Sequence, residues 1–180
     1  MDGTRSALIV ASDDYADPAL RRLRAPASDA RALAAVLQDP GIGGFEVRTL
    51  LNKPAHVVSL ELEEFFADRR PDDLLLVHFS CHGIKDEGGE LYFAMANTLL
   101  RRLGSTAVAA EFVNRRMGRS RSRRIDVWLR YRRHFRHDQH SHSNLRAFTR
   151  PPGSNRLKRA ARNHPWRNAG GLSRRSPWPP

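Results

Sequence analysis

An open α/β sheet layered by helices, followed by a basic segment of different composition, is the architecture that this sequence predicts. Three observations lead there. Short apolar runs alternate with stretches in which apolar residues recur every three or four positions, the pattern of strands alternating with helices. The run LLLV within DDLLLVHFSCHG, residues 72–83, is uninterrupted, as a strand buried on both faces of a parallel sheet must be. The net charge of +12 is also uneven: residues 1–125 carry 18 Lys and Arg against 17 Asp and Glu, whereas residues 126–180 carry 13 against 2.

The elements follow in order. SALIVA, residues 6–11, is a continuous apolar run and reads as the first strand, stopped by the turn-rich SDDYADP. In ASDARALAAVL, residues 27–37, Ser28 is placed to cap a helix whose apolar positions are Ala30, Leu33, Ala34 and Leu37. FEVRTLL, residues 45–51, sets Phe45, Val47 and Thr49 against charged neighbours, as a strand near a sheet edge does. The next helix opens near Pro54 and turns Val57, Leu60 and Phe65 to one face. DDLLLVHFS is the central strand, LYFAMA at 91–96 a further short strand, and TAVAAEFVNRRM at 106–117 a helix burying Ala109, Phe112, Val113 and Met117.

Composition narrows the class of protein. With 180 residues, 40% of them hydrophobic, the chain is long enough for one domain with a proper core. No apolar stretch approaches the roughly 18 residues that span a bilayer, and the first residues lack a signal-peptide layout, so a cytoplasmic protein without membrane association is expected. The single cysteine, Cys81, excludes an internal disulfide and a cysteine-rich zinc site. No cofactor and no metal are expected. His134, His137, His140 and His142, with only Asp138 nearby, offer at most weak adventitious binding.

The chemistry gathers at His82. Catalytic groups in open α/β sheets lie at the carboxyl ends of the strands, and His82 stands there, in a small-residue turn with Gly83 after it to allow close backbone approach. Cys81 is not its partner on this reading. Adjacent residues of a strand point to opposite faces, whereas a nucleophile and its base must approach to roughly 3 Å. Cys81 is expected to be a small buried core residue.

LLLVHFSCHG resembles the strand and His-Gly motif of caspase-like cysteine peptidases, the caspase, metacaspase and paracaspase group. ALIVASDDYADPALRRLRAPASDARALAAVL is similar to the group's first strand, pocket loop and Asp-Ala helix start, here Asp29 and Ala30. GGELYFAMANT and TAVAAEFVNRRMGRSRSRRI resemble the later segments of bacterial members, so the likeness runs over residues 6–125. The resemblance implies a partial caspase-like three-layer α/β/α sheet and a cysteine-type endopeptidase acting on peptide or protein substrates. It implies His82 as general base, Gly83 as a backbone donor near an oxyanion site, and Asp13 and Asp14 where acidic residues select basic substrate side chains. The residues themselves equally allow that Asp13 and Asp14 only cap a loop.

The same resemblance demands a fourth apolar strand ending in Asp-x-Cys, about 50 residues after the histidine. This chain reads RRIDVWLRYRRHFRHDQHSHS there, and no cysteine follows Cys81. Without a thiolate there is no acyl-enzyme, so an inactive form is expected. A peptidase domain at 1–125 and a disordered basic tail at 126–180 are the expected division, with strand three left open on one flank. Three origins of the tail compete: a shifted reading frame near codon 125, a nucleic-acid-binding tail with Trp128, Trp166 and Trp178 for stacking, and an inert solvated extension. A non-catalytic interaction module or a basic nucleic-acid-binding protein is the alternative for the whole chain.

Overall fold

A computed structural model describes residues 3–134 and 146–149. The remaining tail residues, among them His137, Asp138, His140, His142, Trp166 and Trp178, lie outside the described residues.

The first strand, β1 (Arg5–Ala11), has all but its first residue buried, as a run of Ala, Leu, Ile and Val requires in mid-sheet. A long loop leads to α1 (Pro26–Gln38), then β2 (Glu46–Leu51), α2 (Ala55–Phe66) and β3 (Leu74–Lys85). After β3 the chain makes β4 (Leu91–Ala94), a 3-10 turn at Leu100–Arg102, the short α3 (Leu103–Thr106), β5 (Ala107–Ala109) and α4 (Ala110–Arg119). Then come β6 (Arg124–His134) and β7 (Arg146–Thr149).

β1 is the parallel neighbour of both β2 and β3, with Ala11 opposite Leu51 on one side and Ser80 on the other. β2 is the edge strand, as its alternating pattern suggests. The other flank of β3 carries β6 in parallel register, from Leu74 opposite Arg124 to Ile84 opposite His134. Since β6 holds that edge through Ile84, the antiparallel β4, which pairs Gly83 with Phe93, continues the β1 side beyond the point where β1 ends.

Helices cover both faces, which makes the expected α/β/α layering. On one face α2 and α4 pack Val58, Leu62, Phe65, Phe66, Val113 and Met117 against Leu8, Val10, Leu75, Val77, Phe79 and Cys81. Each such side chain contributes about 1.5–3 kcal/mol when fully buried. On the other face α1 sets Ala30 and Leu37 against Ala7, Ile9 and Leu76, a smaller cluster. Among the described residues no helix is long and apolar enough to cross a membrane.

Several expectations are corrected. The strand expected to be missing after Ile125 is present, and β3 has no open flank. Its logic is one-sided: Ile125, Val127 and Leu129 enter the large core, while Asp126, Trp128 and Arg130 alternate onto the face that α1 only partly covers. Arg130 is not buried unpaired; it meets Asp29 of α1 in an ion pair. Residues 107–109 form β5 rather than the start of a helix, pairing Phe93 with Val108. Ser28 does not cap α1, whose first turn begins at Pro26; its hydroxyl donates to the Ala25 carbonyl. On α2 Phe65 is buried as expected, with Ala55, Val58, Leu62 and Phe66, whereas Leu60 is exposed.

Candidate active site

His82 does not end its strand, as the sequence suggests. β3 runs on to Lys85, so the residues CHG form extended ladder and not a turn. What ends is the β1 partner, at Ser80, two residues before His82. The loop from Ser12 to Ala25 crosses in the space this opens, held down by Leu20, which packs on Ile84 and Ala94.

That loop fixes the histidine. The Tyr15 hydroxyl donates to the Ser12 carbonyl at 2.5 Å and accepts the backbone N–H of His82 at 3.2 Å. The Tyr15 ring lies tilted against the imidazole, with centroids 5.0 Å apart. Burial, with the charges of Cys81 and Asp13 adding to it, pushes the phenol's pKa well above its ordinary value, so Tyr15 stays a neutral donor. The Nε2 atom of His82 lies 2.8 Å from the Arg21 carbonyl oxygen. A carbonyl only accepts, so Nε2 carries the proton and donates it, and Nδ1 is the atom with a lone pair to take up another. His82 itself is buried.

Cys81 faces the other way. Its side chain sits fully buried in the large core with Val77 and Phe79, and burial pushes its thiol up to about 12. A thiol in that state supplies no thiolate at neutral pH. Across the sheet, the residue of β6 in register with His82 is Arg132, and Tyr131 is in register with Cys81. The strand that stands opposite the histidine therefore offers no sulfur.

Gly83 lies buried in the ladder, in register with Phe93 of β4 and Arg133 of β6. Asp13 is engaged by Asn52, which sits just beyond β2 with φ 49°, a left-handed conformation that Asn tolerates. The Asn52 amide donates to the Asp13 carboxylate at 2.8 Å, and its carbonyl accepts the backbone N–H groups of Asp13 at 3.0 Å and Asp14 at 3.4 Å. Asp13 is thus a loop clasp, half-buried, and Asp14 is exposed. The structure brings Asp13, Tyr15 and Arg21 into the one loop that holds His82.

Sequence reasoning missed Tyr15, Asn52 and the Arg21 carbonyl. Tyr15 had a signal, a lone aromatic ring inside a polar turn; a main-chain carbonyl has none. Among the described residues no group of three or more His, Cys, Asp or Glu could hold a metal ion.

Comparison with known proteins sharpens this picture. The crystal structure of a protein from Geobacter sulfurreducens superposes with a TM-score of 0.55 at 16% identity, over 72% of this chain and 50% of that one. The likeness is one of fold, and this chain spans half the length of that protein. No curated protein matches the chain. A family model described as the caspase domain, a peptidase family, matches residues 4–110. That stretch holds β1, the clasped loop and His82 on β3, and the chain accordingly belongs to the caspase domain family.

Proposed function

We propose that this chain is a caspase-type domain that keeps the histidine half of a cysteine-peptidase dyad and lacks the nucleophile, so that it does not hydrolyse peptides. The observation that carries the reading is the division of labour at residues 81 and 82. His82 is held through Nε2–H on the Arg21 carbonyl, the orientation a general base needs, while Cys81 lies in the core on the opposite face. In a working dyad Nδ1 would take the thiol proton as the sulfur attacks the scissile carbonyl. Here Arg132 occupies the register position across from the histidine, and a guanidinium neither attacks a carbonyl nor gives up a proton at neutral pH. The basic tail belongs to the same proposal: a change of reading frame in its coding DNA begins after Leu129 rather than at codon 125, since Ile125, Val127 and Leu129 keep a strand's alternation.

The test is hydrolysis of fluorogenic peptides with Arg, Lys or Asp before the scissile bond. Purified protein is expected to give no turnover above buffer, and His82→Ala no change from that baseline. Turnover that vanishes in Cys81→Ala would overturn the reading, because it would make the core thiol the nucleophile.

A further inference from the structure

The pole of the sheet opposite His82 carries a different kind of site. There α2 and α4 end side by side, and the segments that follow them lead into the first residues of β3 and β6. Between the two helix ends lies a concavity of about 620 Å³, a volume within the range of small-molecule sites. Five arginines line it, Arg69, Arg70, Arg116, Arg119 and Arg121, against two acids, Glu63 and Asp68.

Two of the five serve the fold. Arg69 donates from Nε to the Phe65 carbonyl at 2.6 Å, at the end of α2, and stacks over the Phe65 ring. Arg116 pairs with Glu63 and covers Phe112. Such cations at helix C-termini offset the negative end of the dipole. The other three, Arg70, Arg119 and Arg121, are exposed and make no ion pair among the described residues, with Asp68 the one lining acid not already paired to an arginine. A concave surface with a surplus of one sign focuses its field outward and attracts counter-charge. All three are arginine and none is lysine, so they present planar forks suited to oxyanions.

The backbone beneath two of the three is also fixed in advance. The buried Asp73 carboxylate accepts the Arg70 N–H at 2.8 Å, the Thr4 N–H at 2.9 Å and the Thr4 hydroxyl at 3.0 Å. Its main-chain carbonyl accepts the Ser122 hydroxyl at 2.8 Å, and the Arg123 N–H donates to the Pro71 carbonyl at 3.1 Å. The backbones that carry Arg70 and Arg121 are therefore pinned to one another, which reduces the ordering that binding would otherwise require.

We propose that this concavity binds a phosphate-bearing anion through Arg70, Arg119 and Arg121. The test is calorimetric titration of the full chain with pyrophosphate, at ionic strength held constant with chloride. Saturable binding is expected. Each of Arg70→Gln, Arg119→Gln and Arg121→Gln should weaken it by up to about fivefold, the scale of an exposed ion pair, and the triple variant should lose it. The double variant Arg101→Gln, Arg102→Gln, whose arginines are equally exposed but lie outside the concavity, should bind as the parent does. A phosphoserine peptide that binds more tightly than pyrophosphate assigns the phosphoryl group to a protein partner, and one that binds more weakly assigns it to a free anion. Chloride producing the same signal, unchanged binding in the triple variant, or equal loss in the control double would each overturn the proposal.

Discussion

The two faces of β3 are built from alternate residues of the same twelve-residue strand, yet they share almost no chemistry. Leu75, Val77, Phe79 and Cys81 enter a core sealed by α2 and α4. Leu76, His78, Ser80 and His82 face the side on which α1 and the Ser12–Ala25 loop lie, and three of these four are polar yet buried. One face is a packing surface, where only volume matters. The other holds polar atoms that are engaged singly, as at His82 Nε2, or are left without a hydrogen-bond partner among the described residues, as at His78 Nδ1, and that is where a group able to exchange a proton is kept. Neighbouring residues of a strand are thus allotted to stability and to chemistry by a rotation of 180°.

The comparison can be broken hardest on the apolar face. Phe79 is fully buried and stacked on Phe93 with ring centroids 4.5 Å apart. Phe79→Ala should cost about 3–5 kcal/mol, read as a fall in the urea midpoint, because the site cannot collapse between two helices and a strand. A loss under about 1 kcal/mol would mean that the core is not packed as described.

The polar face should respond to pH instead. Burial, helped by the charge of Arg130 and opposed by that of Asp29, pulls His78 down to about 4 from its ordinary 6.5. The unfolded chain then binds the proton more readily than the folded one between those values. Stability is full above about pH 6.5, falls as the pH drops, and by about pH 4 has lost a contribution on the order of 3 kcal/mol. Nδ1 of His78 has no hydrogen-bond partner among the described residues, so His78→Leu should be neutral or stabilising at pH 7 and should flatten that slope. Urea midpoints measured from pH 7 to pH 4 in both proteins check it, and parallel slopes would sink the assignment.

The smallest effect is expected at the margin of the polar face. The exposed Arg130 side chain pairs there with the half-buried Asp29, so Arg130→Ala should change stability by less than about 1 kcal/mol and less still in high salt. A larger loss would show that this pair anchors β6 to α1.

What the sequence made legible follows the same division. β1, α1, β2, α2 and the course of β3 could be read because apolar residues recur with the period of the element in question. β6 was misread for a physical reason: a central strand was expected to be apolar on both sides, and Asp126, Trp128 and Arg130 broke that rule. They are tolerated because a single helix lies over that face. β5 is only three residues long, too short to show a period of two, and its apolar residues merged with the helix after it. At the site, the divergence of Cys81 from His82 was readable from alternation, whereas the strand end expected at His82 was not found, since β3 runs on to Lys85. The clasp between Asp13 and Asn52 was not, since the two residues lie 39 positions apart and meet only once β1 and β2 are paired.

The contact that aligns His82 has a property that a side-chain triad lacks. Its third member is the carbonyl of Arg21, an atom that every amino acid provides. Substitution at position 21 leaves that oxygen in place, and only an insertion, a deletion or a refolding of the loop can remove it. A histidine aligned in this way is inherited with the backbone. Its posture is therefore a property of the loop's course and of no single side chain.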